Sequence, residues 1–338
     1  MNITIIGAGA WGTALAISLS AHHRVVLCAR DPIQVEVMRN TRLNQHYLPD
    51  APLPDTLQLS ANFTDTMANA ELLIIAVPTA ALRAVLHDIA ASPHTCNVVW
   101  LCKGFEAQTA KLPHQVVAEI LPATFQSGVL SGPSFAQEVA RGLPTAMTLA
   151  SNNEVFARTT AQALHHARLR IYASSDVIGV EVGGAVKNVL AIASGICDGM
   201  GLGYNARAAL LTRGLAEISR LGLKLGGRSE TLSGLSGVGD VILTCTGDLS
   251  RNRQVGLLLA KKQSLPEILQ QLGHVAEGVY TVREVYRLAQ QLGVAMPICE
   301  AVCRVIYEQV PASEVINDLL NRTPNMEFCS TIIPLASK

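Results

Sequence analysis

The 338-residue sequence lacks any excess of charge, with 26 basic residues against 26 acidic ones. A protein that binds nucleic acid or an anionic membrane through its overall field carries a basic surplus, so neither partner is indicated. Paired cysteines are missing too. None of the eight stands in a CxxC arrangement, and Cys299 and Cys303 fall four apart in an apolar segment. Such scattered thiols suit a reducing cytosol better than a disulfide framework. No His/Cys/Asp cluster at ligand spacing calls for a metal. No uninterrupted apolar run is expected to span a bilayer. The apolar opening, Ile3 to Leu19, lacks the basic n-region of a signal peptide and contains Gly7, Gly9 and Gly12. A soluble cytoplasmic protein is therefore expected. What the chain has is apolar mass: 49% hydrophobic residues against 15% charged, enough for large cores. Single cores stop growing near roughly 250–300 residues, so this length favours two domains.

Residues 2–6 read as a short buried strand, followed at once by Gly7-Ala8-Gly9-Ala10-Trp11-Gly12, a helix over 13–21 and a second strand over 24–29. G-x-G-x-x-G between a strand and a helix is a dinucleotide-binding pattern. Gly7 permits the tight turn, Gly9 the approach of a pyrophosphate, and Gly12 close packing of helix on strand. The phosphates then rest on the amides and positive end of the helix. At the end of the second strand stands Arg30, followed by Asp31. An arginine there suits a 2′-phosphate and favours NADP, while Asp31 leaves NAD open and Arg30 could equally cap the surface.

The alternation continues with helices at 32–44 and 80–91 and strands at 57–60, 71–77 and 97–101. Pro49, Pro52 and Pro54 make 47–54 an irregular loop. Strands at 145–150 and 169–173 around a helix at 153–166 complete the pattern. Together these predict a parallel, doubly wound α/β sheet of Rossmann type over residues 1–176. Ligands bind beyond the carboxyl ends of such strands. Two segments fall there, Cys102-Lys103-Gly104 and Ser131-Gly132-Pro133-Ser134-Phe135-Ala136, each readable as a site or as an ordinary loop. Beyond 203 only helical segments follow, at 205–221, 253–262, 266–271, 281–292, 298–309 and 312–321. Residues 177–338 are thus expected to form an all-α domain.

The domain boundary is the most informative stretch. Residues 177–203 read as one helix, apolar nearly all round and therefore buried. Lys187 and Asn188 are set into it, with Gly183 and Gly184 a turn before and Ala191 a turn after. Interior glycines cost roughly 1 kcal/mol each, and close approach of a backbone or a ligand is the usual compensation. Lys187 either snorkels to the surface or faces a substrate that the glycines make room for. A desolvated lysine there has a tunable proton affinity.

A second irregular segment, Leu232-Ser233-Gly234-Leu235-Ser236-Gly237-Val238-Gly239-Asp240, runs on through Thr244 to Ser250-Arg251-Asn252. Asp240, a lone aspartate in the apolar setting VGDVIL, could be a helix N-cap, although the segment is not helix-filling sequence. Arg251 and Asn252 are surface residues or a phosphate clamp, since guanidinium binds phosphate oxygens bidentately.

These motifs resemble the bacterial-type NAD(P)-dependent glycerol-3-phosphate dehydrogenases over nearly the whole chain. The likeness rests on GAGAWGTALA from Gly7, YLP from Tyr47, CKG from Cys102, SGPSFAQEVA from Ser131 and VEVGGAVKNVLAIASGI from Val180. NARAALLTRGLAE from Asn205, GLSGVGDVILTCTGDLSRNR from Gly234 and VAEGVYT from Val275 extend it, and nothing is drawn from the tail beyond Thr323. The resemblance implies reduction of dihydroxyacetone phosphate to sn-glycerol 3-phosphate for glycerophospholipid synthesis, by a cytoplasmic homodimer without a metal. It implies a helical domain like that of 6-phosphogluconate dehydrogenase. Lys187 would be the acid/base and Asp240 its orienting partner. Lys103, Gly132, Ser134, Ser250, Arg251 and Asn252 would surround the substrate. Gly7, Gly9, Ala10, Trp11, Gly12, Arg30, Tyr47, Lys103, Ala136, Arg251, Val275 and Glu277 would contact NADP(H) or NAD(H). The rival readings are a dehydrogenase of 6-phosphogluconate or ketopantoate, and a non-catalytic NAD(P) sensor. A sensor has no use for a lysine among glycines together with Asp240 and Arg251.

Overall fold

The computed structural model describes residues 1–273 and 276–323; Val275 and the tail beyond Thr323 lie outside them. The strands are β1 (Asn2–Ile6), β2 (Arg24–Cys28), β3 (Leu43–Asn44), β4 (Leu48–Pro52), β5 (Gln58–Ser60), β6 (Leu72–Ile75), β7 (Asn97–Trp100), β8 (Ser127–Ser131), β9 (Thr145–Ala150) and β10 (Leu169–Ser174). Eight of them form one sheet in the order β10-β9-β8-β7-β6-β1-β2-β5. Ile5 of β1 lies opposite Leu27 on one side and Ile74 on the other, both pairings parallel. Helices cover both faces, which is why β6 can be Leu-Leu-Ile-Ile and buried throughout. Strand order reverses direction between β1 and β6, and ligands of doubly wound sheets bind in the crevice outside that point.

The sheet departs from the expected parallel arrangement at one edge. β8 and β9 pair antiparallel, and β10 runs parallel to β9. The connection from β8 stays at that strand's carboxyl end, where the short helix Ala136–Ala140 packs on the helix Ala10–Leu19. No helix carries the chain back across a face before β9, so the strand starts where β8 stopped. The proline-rich stretch also differs from expectation. Leu48–Pro52 pairs antiparallel with Leu43–Asn44 as a two-stranded ribbon. Prolines are tolerated on such an edge because their missing N–H faces outward.

The boundary helix spans Val177–Gly199, four residues shorter than expected, and a second helix starts at Gly203. Its first turn is capped by Asp176, whose carboxylate accepts the Gly179 amide at 2.8 Å. Val177 and Val180 join the core on one sheet face, and Val182 onward enters the core of the helical half. By length and composition, contrary to the sequence expectation, this helix could cross a membrane; here 94% of its apolar window is buried inside the protein. Its C-terminal half crosses the helix Arg251–Ala260 at very short range. A side chain on Gly195 would lie 2.0 Å from the Arg253 carbonyl, and one on Gly256 2.0 Å from that of Ile192. This contact offsets the helix cost of those glycines.

Candidate active site

The nucleotide cradle is built by backbone. Gly7 has φ +112°, and a side chain there would sit 2.6 Å from the Ala76 carbonyl oxygen. A Cβ on Gly12 would lie 2.0 Å from the Gly7 oxygen, whereas one on Gly9 would meet nothing within 4 Å. Gly7 and Gly12 thus close the turn, and Gly9 leaves open space above it. No side chain among the described residues caps the helix Ala10–Leu19, so its first amides and positive end suit a pyrophosphate. Around this crevice several buried donors lack a partner among the described residues: Trp11 Nε1, Thr79 Oγ1 and Ser131 Oγ. Buried polar atoms are rarely left unpaired without cause. These residues fit a dinucleotide. Arg30 is exposed just past β2, while the Asp31 carboxylate accepts the Ile33 amide at 2.9 Å as a helix cap.

Two lysines meet on one carboxylate. Asp240, fully buried, accepts from Lys187 Nζ on Oδ1 and from Lys103 Nζ at 2.8 Å on Oδ2. Lys187 also donates to Thr244 Oγ1 at 3.0 Å, and Lys103 to the Gly132 carbonyl at 3.2 Å. Lys187 is 7% exposed and does not reach the surface. Burial pulls its pKa down to about 8, Asp240 opposing and Lys103 reinforcing the drop. Burial alone would raise the Asp240 carboxyl, but the two ammonium groups outweigh it and hold it below the usual value. Two cations on one anion leave one positive charge over, which suits an anionic substrate.

The segment that delivers Asp240 is helical, not irregular. Leu235–Gly239 forms a π-helical turn that passes directly into the helix Asp240–Thr246. Asp240 is not a cap there; its carboxylate is spent on the lysines. The glycines flanking Lys187 also have a different purpose from the one expected. A Cβ on Gly183 would lie 2.4 Å from the Ser236 carbonyl, and one on Gly184 2.9 Å from Ser131 Oγ and 3.5 Å from Lys103 Cγ. They admit the π turn and the Ser131 hydroxyl.

Arg251 is exposed at the start of the helix Arg251–Ala260. Ser250 caps that helix, its Oγ accepting the Arg253 amide at 3.3 Å. Asn252 Nδ2 donates to Asn188 Oδ1 at 3.0 Å, and its Oδ1 accepts the Gly278 amide at 3.0 Å. Asn252 therefore ties together three helices, and only part of its amide is left for a phosphate. Glu277, opening the helix Glu277–Leu292, is pushed up to about 7 by burial, against the Thr79 amide and the charges of Arg251, Lys103 and Lys187. Ser134 donates to the Gly132 carbonyl at 3.0 Å, and Ala136 opens the short helix beside the cradle. Tyr47 stands partly exposed just before β4. Sequence reasoning assigned no role to Thr244, Thr79 or Asn188. The signal for Thr244 was its place four residues after Asp240, one helical turn on.

A doubly wound sheet with a glycine cradle at its switch point, joined to a helical half that carries a buried Lys–Asp pair, defines an NAD(P)-dependent oxidoreductase. Family profiles described as NAD-dependent glycerol-3-phosphate dehydrogenase N-terminus and C-terminus match residues 2–157 and 176–317. The chain belongs to that family. The glycerol-3-phosphate dehydrogenase [NAD(P)+] of Thiobacillus denitrificans is 59% identical over 97% of this chain and 100% of its own length. The crystal structure of glycerol-3-phosphate dehydrogenase from Coxiella burnetii superposes with TM-score 0.91 at 41% identity, covering 95% of this chain and 98% of that one. The enzyme of Saccharomyces cerevisiae gives 0.81 at 27% identity, covering 95% and 99%. A ketopantoate reductase from Ralstonia eutropha, at 16% identity and TM-score 0.59 over 94% of this chain and 100% of its own, shares the fold alone.

Proposed function

We propose that the protein reversibly reduces dihydroxyacetone phosphate to sn-glycerol 3-phosphate with NAD(P)H, and so supplies glycerophospholipid synthesis. The observation that carries this reading is the buried Lys187 ammonium on Asp240, with Lys103 on the same carboxylate. When bound, the nicotinamide supplies or accepts the hydride at C2 of the substrate. Lys187 Nζ gives the proton to the ketone oxygen as charge develops there, and takes it back in the reverse direction. Asp240 and Thr244 aim the ammonium. Lys103, anchored on Gly132, adds a second positive charge near the same oxygen. Arg251 grips the phosphate, with the spare N–H of Asn252, the amides at the Ser250-capped helix start and Ser134 completing the pocket. Gly7, Gly9, Gly12, Ala10 and Trp11 hold the pyrophosphate side, and Tyr47, Ala136 and Glu277 border the nucleotide. Residues 1–176 act as the cofactor domain and 177–338 as the substrate domain. Family likeness supports a cytoplasmic homodimer.

Following reduced-cofactor absorbance with dihydroxyacetone phosphate, 6-phosphogluconate and ketopantoate side by side tests the substrate. Turnover confined to dihydroxyacetone phosphate is expected, and preference for either other substrate refutes the reading. NADPH is expected to be favoured, because Arg30 is exposed at the strand end while Asp31 is engaged as a cap. Arg30→Ala should raise the KM for NADPH well above its effect on NADH, by an amount equivalent to about 1.5–3 kcal/mol for a lost charged hydrogen bond. Equal effects on both cofactors would show that Arg30 does not read the 2′ position.

A further inference from the structure

A buried carboxylate outside the site touches both ends of the loop that carries Lys103. Glu181 lies on the Val177–Gly199 helix, six residues before Lys187, and its side chain is 1% exposed. Its Oε1 accepts the Trp100 indole N–H at 2.8 Å and the His114 amide at 2.9 Å. Its Oε2 meets His114 Nδ1 at 2.5 Å. Trp100 is the last residue of β7, and His114 stands in the first turn of the helix Pro113–Ile120. Between them run residues 101–112, including Lys103. The His114 amide is one of the orphan donors at a helix start, and here another element caps it. Burial raises the Glu181 carboxyl, with His114 and Trp100 offsetting part of the rise. Placing a carboxylate there is costly, so the contacts it makes need a compensating use.

We infer that Glu181 is a positioning residue, fixing both ends of the Lys103 loop to the helix that carries Lys187. Lys103 and Lys187 share Asp240, yet they come from opposite halves of the molecule, the loop after β7 and the boundary helix. Their separation depends on how that loop sits against that helix. Glu181 sets this directly, because one side chain of the Lys187 helix holds the loop where it leaves the sheet and where it re-enters regular structure. This role rests on the proposed use of Lys103 and Lys187 in proton transfer.

A double-mutant cycle tests it. Glu181→Leu, which removes every acceptor, should lower kcat by about 10–100-fold through misplacement of Lys103. Glu181→Gln keeps the oxygen that serves Trp100 and the His114 amide, and should restore kcat to within about threefold of wild type. In a Lys103→Ala background, Glu181→Leu should cost almost nothing further, since its effect runs through Lys103. Full additivity with a slow Lys103→Ala enzyme would overturn the positioning role while leaving the site reading intact. Wild-type turnover in Lys103→Ala itself would overturn the site reading, and the positioning role with it. Should Glu181→Leu not fold, Trp100→Phe replaces it, removing one hydrogen bond while keeping an aromatic ring, though a smaller one. A several-fold loss that vanishes in the Lys103→Ala background is again expected, and an unchanged kcat for Trp100→Phe overturns the proposal.

Discussion

Turnover in the Lys187→Ala enzyme should fall by a factor of roughly 10²–10⁴, the usual contribution of a positioned acid or base. The protein should still fold. Alanine is a better helix former than lysine, and removing Lys187 does not orphan Asp240, because Lys103 stays on its other oxygen at 2.8 Å. Cofactor affinity should be close to wild type, since the Gly7–Gly12 turn lies in the other half of the chain. Lys187→Arg should not rescue activity, because guanidinium holds its proton at any working pH. Steady-state turnover, a melting curve and NADPH titration of the three proteins decide the matter. A folded, cofactor-binding Lys187→Ala enzyme with undiminished turnover would remove Lys187 from the mechanism.

Asp240→Asn should be nearly as damaging, for a different reason. The amide is isosteric but carries no charge, so the buried Lys187 ammonium and the partly buried one of Lys103 lose their shared counter-ion. Breaking a buried pair this way costs about 3–5 kcal/mol of stability, so the melting temperature should drop clearly, unlike in Lys187→Ala. Without Asp240 the proton affinity of Lys187 falls further, because burial and Lys103 both disfavour its ammonium and the main opposing charge is gone. The share of free amine at neutral pH then rises. Reduction of dihydroxyacetone phosphate should slow by about 10²-fold or more, and oxidation of glycerol 3-phosphate by less, since the amine is the form it needs. Measuring both directions separates this from general damage. Equal losses in the two directions would show that Asp240 does not set the protonation of Lys187.

What could be read from the sequence follows the range of the interactions involved. The cradle was legible because Gly7, Gly9 and Gly12 act within one strand–turn–helix unit. Lys187 was legible because a lone cation in a wholly apolar helix is a local contradiction. Asp240 could be assigned only through the family resemblance: it lies 53 residues from Lys187 and 137 from Lys103, and no local periodicity carries such a pairing. The glycines beside Lys187 were legible as a close approach, but whether backbone, side chain or ligand approached depended on where the Leu235–Gly239 turn folds back. That turn was itself hidden, since three glycines in six residues read as loop until packing against Gly183 holds them helical. The reversal at β8–β9 is a matter of which way a connection leaves the sheet, and strand spacing does not encode it. Ser250 and Asn252 adjoin Arg251 in the sequence, but that their hydroxyl and amide are partly engaged in helix capping and helix–helix contacts was not legible there.

That Lys187 moves the proton is tested most directly by the pH dependence of single-turnover rates in both directions, at saturating substrate and cofactor. Its pKa, drawn down to about 8 by burial, means that the ammonium prevails below that pH and the amine above it. Reduction uses the ammonium, so its rate should be flat at lower pH and fall as pH rises through about 8. Oxidation uses the amine, so its rate should rise through the same pH and level off above it. Rates independent of pH across this region in both directions, or two profiles that move the same way, would contradict Lys187 as the proton carrier.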